Sequence, residues 1–172
     1  MSPIDAHPGA IVATVLAFLL LAVVSVVLTV IDLREHRLPN RIVLPLYPAV
    51  LALLAIACVF GSPWTWLLRA AVSGATLFVF YALMRGVSGR GVGGGDVKLA
   101  GVIGLYLGWV GWGALVVGTV SGFLIGGAVA VALLAARRAN RSTAIPFGPC
   151  LLAGAWVGIL VGETPAAAYL GL

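Results

Sequence analysis

Between Ile11 and Ile31 the chain runs for 21 residues without a charged side chain. As an α-helix that stretch is about 30 Å long, the thickness of a bilayer's hydrocarbon core. The whole sequence repeats the message: 62% of its 172 residues are hydrophobic, 9% are charged, and the mean hydropathy is +1.18. An ordinary soluble domain is excluded. The expected fold is all-α and membrane-integral, a single domain over residues 1–172. At roughly 20 residues per span the length accommodates about six helices and short loops.

The remaining spans follow from breaks in the apolar pattern. The polar segment Leu33–Arg41 closes with Pro39-Asn40, where proline disfavours helix before it and asparagine suits a turn or cap. A second span then fits Ile42–Phe60. Gly61-Ser62-Pro63 is a turn signal, and Trp64 and Trp66 beside it suit a membrane interface. The third span runs from Trp64 to Met84, and its one charge, Arg69, is near enough to the end to snorkel to the headgroups. After a glycine-rich loop to Asp96, the apolar stretch from Val97 divides at Gly108–Gly113, whose tryptophans are again interfacial candidates. The fifth span, Ala114–Ala136, carries Gly118, Gly122, Gly126 and Gly127 at helical spacing, a face suited to close helix packing. Ile145-Pro146-Phe147-Gly148-Pro149 leads into a sixth span that ends near Val161. Met1–Ala10 lacks the basic region of a secretory signal, so the first span is expected to be retained.

A net charge of +5 would suggest nucleic acid in a soluble protein. Here nine of the ten basic residues fall in the odd-numbered loops: Arg34, Arg37, Arg41, Arg85, Arg90, Lys98, Arg137, Arg138 and Arg141. With six spans those loops share one face, which the positive-inside rule makes cytoplasmic, with both termini outside. Membrane lipids are the expected partner of that charge, and nucleic acid is not. Cys58 and Cys150 form no CxxC or Cys/His cluster, so no metal site or disulfide framework is indicated, and both read as core-packing residues.

Of five acidic residues, Asp5 and Glu163 lie in the terminal segments and Glu35 lies in mid-loop. Asp32 and Asp96 stand at the mouths of the first and fourth spans, on the same face. If those spans pack together, the two carboxyls share a proton, and the ionised member can activate water while the protonated member donates to a carbonyl. Gly93-Gly94-Gly95 before Asp96 would let an extended peptide approach the backbone. A plainer account is also open: Asp96 as an N-cap after a flexible linker, and Asp32 as a boundary charge. Lys98 either positions the loop or meets headgroups.

These motifs together resemble the prepilin peptidase family, membrane aspartic proteases with a GxGD motif. Gly93-Gly94-Gly95-Asp96 matches GxGD, Val97-Lys98-Leu99 continues it as GDxKL, and Asp32 with Arg37-Leu38-Pro39-Asn40 resembles the family's first aspartate and its Pro-Asn element. Ile145–Pro149 resembles the IPFGP segment before the last span. The resemblance implies a GxGD aspartyl protease core in the inner membrane, with Asp32 and Asp96 catalytic and the leader of a type IV prepilin or pseudopilin cut at the cytoplasmic face. It implies no metal and no cofactor. Gly93, Gly95, Lys98, Pro39, Asn40, Pro146, Phe147 and Gly148 would shape the substrate loop and groove. Longer members carry an N-terminal region with paired cysteines and also methylate the product. This chain enters its first span almost at once, which points to peptidase activity alone, as in compact members, some of which serve Flp or Tad-type pili.

Two rival functions fit the apolar spans. One is a small proton- or cation-coupled transporter using Asp32 and Asp96 as a relay. The other is an assembly partner that packs through the glycine face of the fifth span.

Overall fold

The computed structural model describes residues 7–35, 37–88, 93–136 and 147–162. Arg90, Arg137, Arg138, Arg141, Ile145, Pro146, Asp5 and Glu163 lie outside them. The described residues form six helices in the order α1 (Pro8–Glu35), α2 (Asn40–Val59), α3 (Trp64–Ser88), α4 (Gly94–Val110), α5 (Trp112–Ala135) and α6 (Gly148–Val161). Four of them, α1, α2, α3 and α5, are long and apolar enough to cross a membrane. Helices α4 and α6 are shorter, at 17 and 14 residues.

Burial runs along α1 as one helical stripe: Ala10, Ala13, Ala17, Leu21, Val24, Leu28 and then Asp32. Steps of three and four residues keep these positions on one face. The opposite face exposes Val12, Leu16, Leu19, Val23, Val26 and Val30, apolar side chains suited to lipid. Helix α1 does not stop at Asp32 as the sequence suggests but continues for most of a turn to Glu35. The first carboxylate therefore keeps the inward direction of the stripe. In α2, Pro45 and Pro48 sit inside the helix, and Val43, Leu46, Val50 and Leu54 form its buried face.

Helix α4 is the centre of the bundle, since every residue from Asp96 to Trp109 except Lys98 is buried. Its neighbours come close because small residues meet at the contacts. A Cβ on Gly104 would lie 2.6 Å from the Ser73 carbonyl oxygen of α3, so only glycine allows that approach. On the other side of the bundle, Gly118, Gly122 and Gly126 of α5 are buried. Gly118 and Gly122 face α6, where a Cβ on Gly154 would run into the Gly122 backbone. Gly127 has open space around it, so the small-residue face uses three of the four glycines.

Side-chain hydrogen bonds lock the helices together. Tyr106 Oη donates to the Ala17 carbonyl at 2.9 Å, linking α4 to α1, and Trp156 Nε1 donates to Ser25 Oγ at 3.2 Å, linking α6 to α1. Arg69 departs from expectation. Instead of reaching for headgroups, its Nε donates to Gly108 O at 2.6 Å and its Nη2 to Trp109 O and Val110 O at 2.8 and 3.1 Å. A cation on the exposed carbonyls of a helix C-terminus satisfies acceptors that have no partner within the helix. Trp109, expected at the interface, is 4% exposed and packs edge-on against Trp66. Cys58 and Cys150 are free and buried, as their surroundings suggest.

Candidate active site

The contacts between helices give the bundle two distinct ends. At one end the start of α1 meets the end of α2, where Gly9 packs on Phe60, and Arg69 caps α4. The other end gathers the last turns of α1 and α3 and the first turns of α2, α4 and α6. Asp32 and Asp96 both lie there, 4% and 8% exposed. Arg34, Arg37, Arg41, Arg85 and Lys98 belong to the same end.

Each carboxylate accepts a hydrogen bond from a backbone N–H. Gly93 precedes the first helical residue of α4, and its N–H donates to Asp96 Oδ2 at 3.1 Å. Asp96 is therefore the third residue of the helix, reaching back to the cap position rather than capping the helix itself, and its charge suits the positive end of the helix dipole. Gly148, the first residue of α6, donates its N–H to Asp32 Oδ2, also at 3.1 Å. That bond spans 116 positions of sequence and joins α1 to α6.

The two acids are near enough for the charge of Asp32 to act on Asp96. Asp96 stands in the first turn of α4, just before the apolar run that starts at Val97. Burial first, and the Asp32 charge second, push its carboxyl up to about 6, with the Gly93 N–H pulling the other way. Two buried acids placed so that ionising one opposes ionising the other form a pair suited to holding a single proton.

Leu38 locks the arrangement. A Cβ on Gly95 would stand 2.7 Å from Leu38 Cβ, and one on Gly148 would stand 3.4 Å from Leu38 Cδ1 and 2.8 Å from Asp32 Oδ2. Glycine at 95 and 148 thus lets the segment before α2 lie between the starts of α4 and α6. Pro39 takes an extended conformation at the start of α2, and Asn40 is its first helical residue. Asn40 Oδ1 accepts from Lys98 Nζ at 2.8 Å, and Tyr47 Oη donates to the Lys98 carbonyl at 2.7 Å. Lys98 therefore ties α4 to α2. Phe147 joins an aromatic group with Tyr81 and Phe123. Pro146 lies outside the described residues.

Beside the glycine-rich start of α4 is an open cavity of about 510 Å³, lined by Asn40, Phe78, Ala82, Arg85, Gly94, Gly95, Val97 and Lys98. Among the described residues no group of three or more His, Cys, Asp or Glu side chains could hold a metal ion. Sequence reasoning missed Leu38, Tyr47 and Tyr81 as parts of this end. Leu38 lies inside the quoted Pro-Asn element, but only its contacts with two distant glycines reveal its role.

A family model described as "Type IV leader peptidase family" matches residues 10–136, which include both aspartates. The chain belongs to the type IV leader peptidase family. It is similar to proteins named prepilin leader peptidase/N-methyltransferase: 34% identical over 156 residues to that of Aeromonas hydrophila and 33% over 155 residues to that of Stutzerimonas stutzeri, each covering 90% of this chain and 52% of the relative. The Bacillus subtilis protein of the same name is 30% identical over 145 residues, 84% of this chain and 55% of the relative. The chain thus spans about half the length of the curated relatives it matches. No solved structure matches it significantly. The resemblance to the family, first carried by three short motifs, extends over residues 10–136.

Proposed function

We propose that the protein is a membrane-embedded aspartic endopeptidase that removes the leader of a type IV prepilin or pseudopilin, including those of Flp or Tad type. The observation that carries this reading is the pair itself: two buried carboxylates at one end of the bundle, each held by a glycine N–H and each within reach of the other's charge. Membership of the leader peptidase family supplies the substrate class. It does not favour the transporter alternative.

In the mechanism proposed, one aspartate is ionised and its partner protonated. The ionised carboxylate takes a proton from water as the water oxygen attacks the scissile carbonyl, while the protonated partner donates to the carbonyl oxygen. The tetrahedral intermediate then collapses: the C–N bond breaks, the leaving amine takes a proton from the aspartate that received it from water, and a hydroxyl of the intermediate returns its proton to the other aspartate. No covalent enzyme intermediate is needed. A peptide bond inside a regular helix is shielded, so the substrate must unwind near the glycine loop. The cavity bounded by Gly94, Gly95, Arg85 and Lys98 offers room for it there. Lys98 and Asn40 hold the mouth of the site, Pro39 and Leu38 set the start of α2, and Phe147 and Gly148 form the opposite wall.

In this reading the chain is one domain with six spans in the inner membrane, and the apolar run of α4 from Val97 and helix α6 cross as short central spans. Both termini lie outside and the aspartates face the cytoplasm, in keeping with the cations at their end. Co-expression of the full chain with prepilin precursors from the same genome tests the activity. Leader removal should appear as a mobility shift that is lost in Asp32→Asn and in Asp96→Asn. A shift that persists in either variant would overturn the assignment.

A further inference from the structure

Tyr81 of α3 is 1% exposed, and its hydroxyl is buried with no hydrogen-bond partner. A buried hydroxyl without a partner is costly, and a native structure that retains one calls for a reason. Among the described residues one other side chain shares this state, Ser73, and its Oγ faces Gly108 at the opposite end of the bundle. Only Tyr81 stands at the aspartate end.

Its surroundings fix where the hydroxyl can be. The ring stacks on Phe123, with centroids 5.5 Å apart and planes 9° apart, and meets Phe80 edge-on at 5.5 Å and Phe147 at 6.4 Å. Phe147 immediately precedes Gly148, whose N–H holds Asp32. The hydroxyl also lies within the field of Asp96. A rigid ring clamped on several sides therefore holds an unpartnered O–H within the field of Asp96, next to the aromatic side chain that precedes Gly148. Phenol O–H can donate as well as accept, whereas an ionised carboxylate only accepts.

We propose that Tyr81 is a catalytic residue whose hydroxyl donates a hydrogen bond to the scissile carbonyl oxygen as that oxygen becomes an oxyanion. Tyr81 keeps its proton throughout; the proton that moves is the one held by the aspartates. The donor is already in place and already desolvated, so it strengthens as charge develops without waiting for solvent to reorganise. This also accounts for the missing partner, which the substrate supplies. The inference rests on the leader-peptidase reading.

The test uses the full chain reconstituted in lipid, with a synthetic precursor peptide spanning the leader and first apolar residues of a type IV prepilin. Tyr81→Phe removes one oxygen and keeps the ring. It should lower kcat by about 10²-fold, leave KM within about twofold, and leave the melting temperature unchanged or raised because an unpaired polar group is gone. A kcat within threefold of the parent, or a loss carried wholly by KM, overturns the proposal. Incorporating 3-fluorotyrosine at 81 gives a second reading that preserves hydroxyl and packing. It should change kcat at least twofold at a pH where both phenols are protonated, and an unchanged kcat overturns the assignment even if Tyr81→Phe does not fold. Asp96→Asn, assayed alongside, separates the two levels. Cleavage by that variant defeats the aspartyl reading, whereas an inactive Asp96→Asn beside a fully active Tyr81→Phe defeats the Tyr81 role alone.

Discussion

The two carboxylates accept the same kind of bond at the same 3.1 Å length, yet they are built in opposite ways. Asp96 takes its donor from Gly93, three residues earlier, so the start of α4 makes a local unit. Asp32 takes its donor from Gly148, a bond that forms only when α1 and α6 are packed together. One half of the site is thus specified by a contiguous motif and the other by tertiary structure. A change that loosens helix packing should therefore damage Asp32 before Asp96.

The largest effect expected treats the two halves alike. Asp32→Asn and Asp96→Asn should each reduce leader cleavage by about 10²–10⁴-fold, because in the proposed mechanism each is one member of an acid–base pair. A variant losing much less in a cleavage assay would separate the halves and end their description as a pair.

Substitution of the glycine donors should then tell them apart. In Gly148→Ala the new Cβ would lie 2.8 Å from Asp32 Oδ2, with Leu38 close behind. Helix α6 or Asp32 must shift, and a displacement approaching 1 Å at reacting groups costs about 10²-fold in kcat. Gly93→Ala presses on Asp96 Oδ2 from 2.9 Å, but Gly93 is exposed and precedes the helix, so the backbone can give. Its loss should be about tenfold or less, on the same scale of misplacement. Equal losses would show that packing does not distinguish the two halves.

A smaller effect belongs to the tie between α2 and α4. Lys98→Met removes the exposed bond to Asn40 and leaves the aspartates untouched. An exposed hydrogen bond from a cation to a neutral amide is worth no more than an exposed ion pair, about 0.2–1 kcal/mol, so cleavage should fall by no more than about fivefold. Asn40→Ala should match it, and the double variant should add little to either, a non-additivity that a double-mutant cycle would measure.

The same local–tertiary contrast explains what could be read from the sequence. Breaks in apolar runs placed the helices to within a few residues because proline, glycine and charge act on the chain locally. The charge-free run and the stripe Ala17, Leu21, Leu28 carry Asp32 inward, and the GxGD segment places Asp96 at a helix start. The bond from Gly148 to Asp32 was not legible, since no local periodicity encodes which distant helix start will face which helix end. The wedge of Leu38 between Gly95 and Gly148 has the same origin. Trp109 and Arg69 were read from residue habit, as an interfacial ring and a snorkelling cation. Both were redirected by the centrality of α4, which buries its own tryptophan and offers its last carbonyls to α3. Tyr81 carried no signal, because an aromatic residue in an apolar helix looks like core until its hydroxyl is found without a partner.

The central claim is that Asp32 and Asp96 behave as one pair, and a titration tests it most directly. Carbon-13 NMR of aspartate carboxyls in the lipid-reconstituted protein would follow Asp96 in the parent and in Asp32→Asn. Because the Asp32 charge is the second cause raising Asp96, its removal should lower the Asp96 midpoint from about 6 while burial, the larger cause, keeps it above the ordinary carboxylate range. An Asp96 midpoint unmoved by Asp32→Asn would contradict the pair.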